Sequence, residues 1–168
     1  MKEIYILRHG LAVERGTRGY AKDSDRPLTP EGCKRIRRIA RMLRKFGLSF
    51  DLILSSPYVR ARQTAEIVTE VLHAEDRLKF SEHLAAEGDA EELIEQLRRL
   101  CHSCASVLLV GHEPDLSQLI SVLLTGKAGL ALTLKKGGLC KLAIQRLAYA
   151  RCATLEWLLT PRDMIEAS

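Results

Sequence analysis

Residues 107–124 read VLLVGHEPDLSQLISVLL, and the change of period inside this stretch decides the fold. Val107 to Val110 is an unbroken apolar run, too short for a helix and suited to a strand buried on both faces. Gly111-His112-Glu113-Pro114 interrupts it. Apolar residues then return at helical spacing from Leu116 to Leu124, and Gly126 is placed to end the helix. A buried strand that passes through a Gly-His turn into a helix is one unit of a layered α/β domain.

The same order recurs along the chain. Ile4-Tyr5-Ile6-Leu7 is a short apolar strand ending at Arg8-His9-Gly10, and residues 11–27 are polar and read as a long loop. Thr29-Pro30-Glu31 announces a helix: Thr as N-cap, Pro at the first helical position, an acid in the first turn. Its apolar face is Ile36, Ile39, Ala40 and Leu43, with Phe46 just beyond and Gly47 as the stop. Leu52-Ile53-Leu54 is a second buried strand, leading through Ser55-Ser56-Pro57 into a helix over 59–73 with Ala61, Ala65, Val68 and Leu72 on one face. Residues 78–80 suit a short edge strand. A helix over 89–102 turns Leu93, Ile94, Leu97 and Leu100 inward. Residues 139–144 and 153–159 read as two final strands joined as a hairpin. With neither repeat nor linker, the expectation is a single domain over 1–168, of three-layer α/β/α class with a mainly parallel central sheet.

Composition agrees with a folded domain. The chain has 168 residues, 46% hydrophobic and 28% charged, which disfavours disorder, collagen-like repeats and coiled coil. No uncharged apolar run approaches the roughly 20 residues of a membrane span. The start, MKEIYILRHG, lacks a long apolar leader core, so a cytoplasmic protein is expected. Five cysteines is an odd number, and reduced thiols are the default reading. Cys101 and Cys104 form a CxxC around His102, but no further ligands follow at zinc spacing, and the pair sits near a helix end rather than its start. Cys33, Cys140 and Cys152 read as small core or boundary residues.

The net charge is +5, and its distribution is uneven: residues 1–84 carry 17 basic and 11 acidic side chains, residues 85–168 carry 9 and 10. A basic excess suits nucleic acid, an anionic membrane or small anionic substrates. Lys34, Arg35, Arg37, Arg38, Arg41, Arg44 and Lys45 lie opposite the apolar face of their helix, and a solvated face is the commoner explanation of such a stripe. Aromatic residues, at 5%, offer little for stacking on single strands. Neither nucleic acid nor membrane is expected as a partner.

The reactive residues fall at strand ends. Arg8-His9, the segment 56–60 and His112 all follow the carboxyl ends of expected strands, the edge where open α/β sheets bind ligands. A histidine there can be a nucleophile, a base, a metal ligand or a mere cap. Arg60, near the first turn of its helix, runs against the helix dipole, which suggests that an oxyanion is expected at that end. Arg62 reads as a solvated surface group, and Arg26 suits either a surface role or the border of the site. Two His and two Arg without a carboxylate cluster describe a cationic pocket fit for a phosphoryl group of about −1.5 to −2 charges. A neutral histidine can attack phosphorus while a second, protonated one steadies the equatorial oxygens.

LRHG at 7–10, DRPLTPEG at 25–32, SPYVRARQTA at 56–65 and VGHEPDLS at 110–117 together resemble the histidine phosphatase, or phosphoglycerate mutase-like, superfamily. The short chain and the GHEPDLS form are most similar to phosphohistidine phosphatases of the SixA type. The resemblance implies a minimal phosphoglycerate mutase-like fold without a large lid, His9 as the phosphorylated nucleophile, and Arg8, Arg60 and His112 as the rest of the phosphate-binding, catalytic set. It implies no metal and no cofactor, and a substrate that is a phosphohistidine-bearing protein, such as a phosphotransfer domain, handled by a monomer.

Two departures qualify it. Leu11, Ala12, Val13 and Glu14 stand where many members have Ser and Asn, which weakens any transfer of mutase activity. The general acid is open between Glu82, Glu87 and Glu113. An alkyl ester expels a poor alkoxide and benefits from a proton donor, whereas a phosphohistidine leaving group has a second ring nitrogen that titrates near neutrality. A pocket without a dedicated acid therefore suits a P–N substrate. The alternatives are a phosphomonoesterase of sugar phosphates or similar small molecules, and a phosphate-binding module without turnover. Trp157 reads as core, and His73, His83 and His102 as surface groups.

Overall fold

The computed structural model describes residues 2–167. Strands β1 (Glu3–Arg8), β2 (Leu52–Ser55), β3 (Leu78–Phe80), β4 (Ser106–Gly111), β5 (Leu139–Ile144) and β6 (Ala153–Leu159) form one sheet in the order β3-β2-β4-β1-β5-β6. The first four are mutually parallel; β5 runs antiparallel to β1, and β6 to β5. Five α-helices accompany them: α1 (Pro30–Lys45), α2 (Val59–Leu72), α3 (Ala90–Leu100), α4 (Asp115–Thr125) and α5 (Pro161–Glu166). This is the three-layer arrangement expected from the alternating periods.

The parallel strands are apolar throughout because both faces are covered. Alternation sends Ile4, Ile6, Val107 and Leu109 into a core with residues of α3 and α4. Tyr5, Leu7, Leu108 and Val110 point the other way, into a core with α1, α2 and Met164 of α5. The chain therefore leaves β4 toward one face but leaves β1 and β2 toward the other. Neighbouring strands whose exits diverge leave a crevice at their carboxyl ends. His9, Ser56 and His112 follow those three ends directly.

Local signals explain how the surrounding segments are held. Thr29 Oγ1 accepts the Gly32 N–H at 2.9 Å, the cap expected at α1. A methyl group on Gly32 would stand 2.1 Å from the Leu11 carbonyl oxygen, so only glycine lets the first turn of α1 close on the loop after β1. Residues 11–27 fold back on themselves: Thr29 N–H donates to Leu11 O and Val13 N–H to Pro27 O. The loop also contains a short 3-10 turn, Asp23–Asp25.

Several expectations need correcting. α3 stops at Leu100 instead of reaching His102, and Leu100 itself is exposed, while Cys101, four positions after Leu97, takes the inward place. Cys101 and Cys104 are joined by a disulfide, not present as free thiols: the turn between α3 and β4 brings their Cα atoms to 4.9 Å, within disulfide range. Cys33, Cys140 and Cys152 are free. α5 was not anticipated, although Thr160 and Asp163 form a capping box with Pro161 at its start. Trp157 is half-buried, packed edge-on against Tyr5 at 5.8 Å. Among the described residues, no helix is long and apolar enough to cross a membrane.

Candidate active site

Arg8 is the last residue of β1, and His9 is the first beyond it. The Arg8 guanidinium donates from Nη1 to Leu134 O at 2.9 Å, while its Nε is buried with no hydrogen-bond partner. The His9 main chain is pinned by its N–H to Gly111 O at 3.1 Å, across the β1–β4 pair. Its Nδ1 lies 2.8 Å from Gly10 O. A carbonyl only accepts, so Nδ1 carries the proton and Nε2 keeps the lone pair. Arg60 Nε–H donates to that Nε2 at 3.2 Å. Gly10 N–H in turn donates to Thr64 Oγ1 at 3.1 Å, which binds the loop after β1 to α2.

Arg60 stands at the second position of α2 and is only 3% exposed. Nη1 donates to the Asp23 carbonyl at 2.7 Å and Nη2 to Asp23 Oδ2 at 2.9 Å. Tyr58 lies beneath the guanidinium, 5.3 Å from ring centre to Cζ. Asp23 is held as well by Arg26 Nη2 at 2.7 Å and Arg15 Nε at 2.9 Å. Burial would raise the Asp23 carboxyl, but the Arg26 hydrogen bonds and the Arg60 charge outweigh it and hold it down at about 2.

His112, directly after β4, pairs Nε2 with Ser56 Oγ at 2.8 Å, and its Nδ1 is buried without a partner. The His9 and His112 rings are 5.1 Å apart, and the Tyr58 ring lies tilted at 5.1 Å from His112. Burial pushes His9 down to about 3; the hydrogen bond to Gly10 opposes this, and the positive neighbours reinforce it. Burial likewise pushes His112 down to about 3, helped by Arg60 and Arg8. Both imidazoles are therefore neutral at pH 7. The protonated form expected for the second histidine is disfavoured here by desolvation and by the two guanidinium groups.

The four residues singled out at strand ends converge as expected. The three candidate acids stand around this group rather than in hydrogen-bond contact with its histidines. Glu82 is exposed on the 3-10 turn Glu82–Leu84. Glu87 is exposed too, on the wall of an open cavity of about 440 Å³ shared with Asp23, Arg26 and Tyr58. Glu113 accepts from Ser117 Oγ, has its Oε1 buried without a partner, and acts through its charge on Arg8. Among the described residues, none of the three hydrogen-bonds to His9 or His112. Ser56 and Tyr58 belong to the segment 56–60 expected at the crevice, whereas Asp23 carries no signal in the sequence; Arg26 reaches the site through Asp23. Arg62 is on the surface, as expected. No group of three or more His, Cys, Asp or Glu among the described residues forms a metal-binding cluster.

A family profile, the histidine phosphatase superfamily (branch 1), matches residues 4–101. The chain belongs to the histidine phosphatase superfamily. The match covers Arg8, His9 and Arg60, while His112 lies beyond it. Phosphohistidine phosphatase SixA of Escherichia coli K12 is 32% identical over 126 residues, 74% of this chain and 76% of that protein. An uncharacterised protein of Picosynechococcus sp. PCC 7002 is 40% identical over 138 residues, 82% of each chain. The structure of protein histidine phosphatase SixA complexed with tungstate superposes with a TM-score of 0.81 at 28% identity, covering 96% of this chain and 99% of that one. The minimal phosphoglycerate mutase-like fold expected from the sequence is thus the fold observed. Membership makes the chain a histidine phosphatase; which phosphorylated compound it serves is a further step.

Proposed function

We propose that the chain dephosphorylates phosphohistidine on a protein, through a covalent phosphate on His9. One observation carries the reading: the buried His9 imidazole is neutral, tied at Nδ1 to Gly10 O, and presents the Nε2 lone pair beside Arg60. A lone pair so fixed is a ready nucleophile, and among the described residues neither lysine nor carboxylate hydrogen-bonds to the ring. The phosphoryl oxygens would take the place of His9 Nε2 as acceptors for Arg60 Nε, and would satisfy the orphaned Nε of Arg8 and Nδ1 of His112.

The chemistry balances without a dedicated acid. The His9 Nε2–P bond forms as the P–N bond of the substrate breaks. A substrate imidazole already protonated at its other nitrogen then leaves as neutral imidazole. Water next attacks phosphorus, the P–Nε2 bond breaks, inorganic phosphate departs and His9 is restored. Arg8 and Arg60 bind the oxygens in both steps, and the charge of the bound phosphoryl group favours protonation of His112.

The test is a panel of a phosphohistidine protein and common phosphomonoesters, run with and without chelator. The expected result is turnover of the phosphohistidine protein, unaffected by chelator, far above that of unactivated alkyl phosphates. Acid-labile phosphate should be trapped on wild type, and not on His9→Ala. Equal turnover of alkyl phosphates would favour a small-molecule phosphomonoesterase, and an active His9→Ala protein would overturn the mechanism.

A further inference from the structure

We propose that a basic groove beside the pocket, running from Arg8 along α1, binds an acidic segment of the protein that carries the phosphohistidine. The proposal rests on the phosphohistidine reading above and names what the substrate must present around its phosphorylated residue.

The groove begins as a cavity of about 400 Å³ whose walls include Arg8, Gly10, Arg35, Lys135 and Lys136. It continues as a recess of about 420 Å³ bordered by Lys34, Arg35, Arg38 and Arg162. Arg35 and Pro161 line both, so the two form one path. Ile36 and Ile39, both fully buried, lie behind its wall. The segment bearing Lys135 and Lys136 is fastened to the pocket itself: Gly137 N–H donates to both Arg8 O and His9 O at 3.0 Å, and Arg8 Nη1 donates to Leu134 O. A substrate held there is therefore in fixed relation to His9.

Part of the charge is unspent, although Arg162 is paired with Glu166 at 2.7 Å. Lys34, Lys135 and Lys136 are exposed and make no ion pair among the described residues. Among the described residues, Glu31 on the wall is paired with Arg35 at 2.8 Å, and Asp163 lies within reach of the Lys135 charge. The basic face of α1 also proves divided. Arg37 turns to Glu70 and Lys45 reaches Ala167 O, while Lys34, Arg35 and Arg38 border the groove. A stripe that merely solvated the helix would not share a cavity wall with cations from a distant loop. The cations are spread over two adjoining recesses, and successive carboxylates of an extended segment, about 3.3 Å apart per residue, can meet them in turn; a compact second phosphate would need cations converging on one point.

Two phosphohistidine peptides, one with acidic and one with neutral flanking residues, provide the test, together with a fluorescent, unphosphorylated acidic peptide followed by anisotropy. Wild type should hydrolyse the acidic-flanked peptide with a kcat/KM about tenfold higher at low salt, through KM, and added salt should erase the preference. The Lys135→Gln/Lys136→Gln protein should lose the preference and bind the acidic peptide about tenfold less tightly, while turning over para-nitrophenyl phosphate as wild type does. Equal kcat/KM for the two peptides in wild type would overturn the groove and leave the phosphohistidine reading standing, as would a preference that survives the double substitution. Retention on phosphatidylserine vesicles without acidic-peptide binding would overturn it in favour of a membrane surface. If neither phosphopeptide is hydrolysed but the acidic peptide binds in a Lys135- and Lys136-dependent way, the groove stands and the phosphohistidine reading falls.

Discussion

Holding two histidines neutral inside the crevice has a measurable consequence on acidification. Each has an ordinary value of 6.5 and is pushed down to about 3 in the folded protein. A depressed value means that the unfolded chain binds protons the folded one refuses, so stability is complete above pH 6.5 and drains away as pH falls from 6.5 toward 3. At about 1.4 kcal/mol per unit, each histidine costs about 2 kcal/mol by pH 5, and the pair about 4 kcal/mol. Against a total stability of about 5–15 kcal/mol this is a large share, equivalent to roughly 8–16 °C in Tm for a domain of this size. Asp23, held at about 2, loses its contribution only below the ordinary carboxylate value, so it does not intrude between pH 7.5 and 5. The assay is urea unfolding at pH 7.5, 6.5, 5.5 and 5.0 for wild type and for His9→Gln/His112→Gln, whose amides do not titrate. Wild type should lose about 4 kcal/mol over that range more than the double variant does. Parallel pH dependences in the two proteins would refute the reasoning, since the loss would then come from groups outside the pocket.

Two further substitutions probe the supports of the site. Asp23→Asn removes the charge shared by Arg60, Arg26 and Arg15 but leaves the Asp23 carbonyl on Arg60 Nη1. KM should rise about tenfold with a smaller change in kcat, and stability should fall by about 1–2 kcal/mol, both read from steady-state kinetics and urea unfolding. Glu113→Gln keeps a side chain able to meet Ser117 Oγ while removing an ionisable proton donor. Turnover of phosphohistidine should stay within about threefold of wild type, whereas a loss of about a hundredfold or more would identify Glu113 as the general acid.

What the sequence could and could not show divides along physical lines. β5 and β6 were read at their observed bounds, and α1 from Thr29 onward, because apolar period and capping chemistry are local properties. Arg60 could be singled out because a cation at a helix N-terminus runs against the dipole and so invites an explanation. Asp23 gave no such sign. It lies 37 positions from Arg60 in a polar loop without a period, and only the folding back of 11–27 brings the two together. α5 was missed for a different reason. Six residues show too little of a period, and its one local signal, the Thr160–Asp163 box after a strand, repeats the Thr-Pro start that had marked α1. Leu100 shows the limit of periodicity itself: positions three and four after Leu97 both suit the inner face, and Cys101 rather than Leu100 fills it.

The division of labour between arginine and histidine in the crevice follows from where the fold places each. His9 and His112 follow the two central strands, β1 and β4, with both faces of the sheet covered beneath them, and desolvation there is the main force lowering both imidazoles. The same desolvation acts on Arg8 and Arg60, lowering both, yet a guanidinium starts so high that it stays charged. One environment thus yields permanent cations and neutral imidazoles together. A phosphoryl group needs the former for its oxygens, and attack on phosphorus needs the latter for its lone pair. Exposing His9 to water would keep the pocket cationic but would let the imidazole protonate near pH 6.5, and the lone pair would be lost in the range where the buried form retains it. The acid sensitivity of the fold is therefore the counterpart of a nucleophile kept ready at neutral pH, and a substitution that cures the first by opening the site should weaken the second.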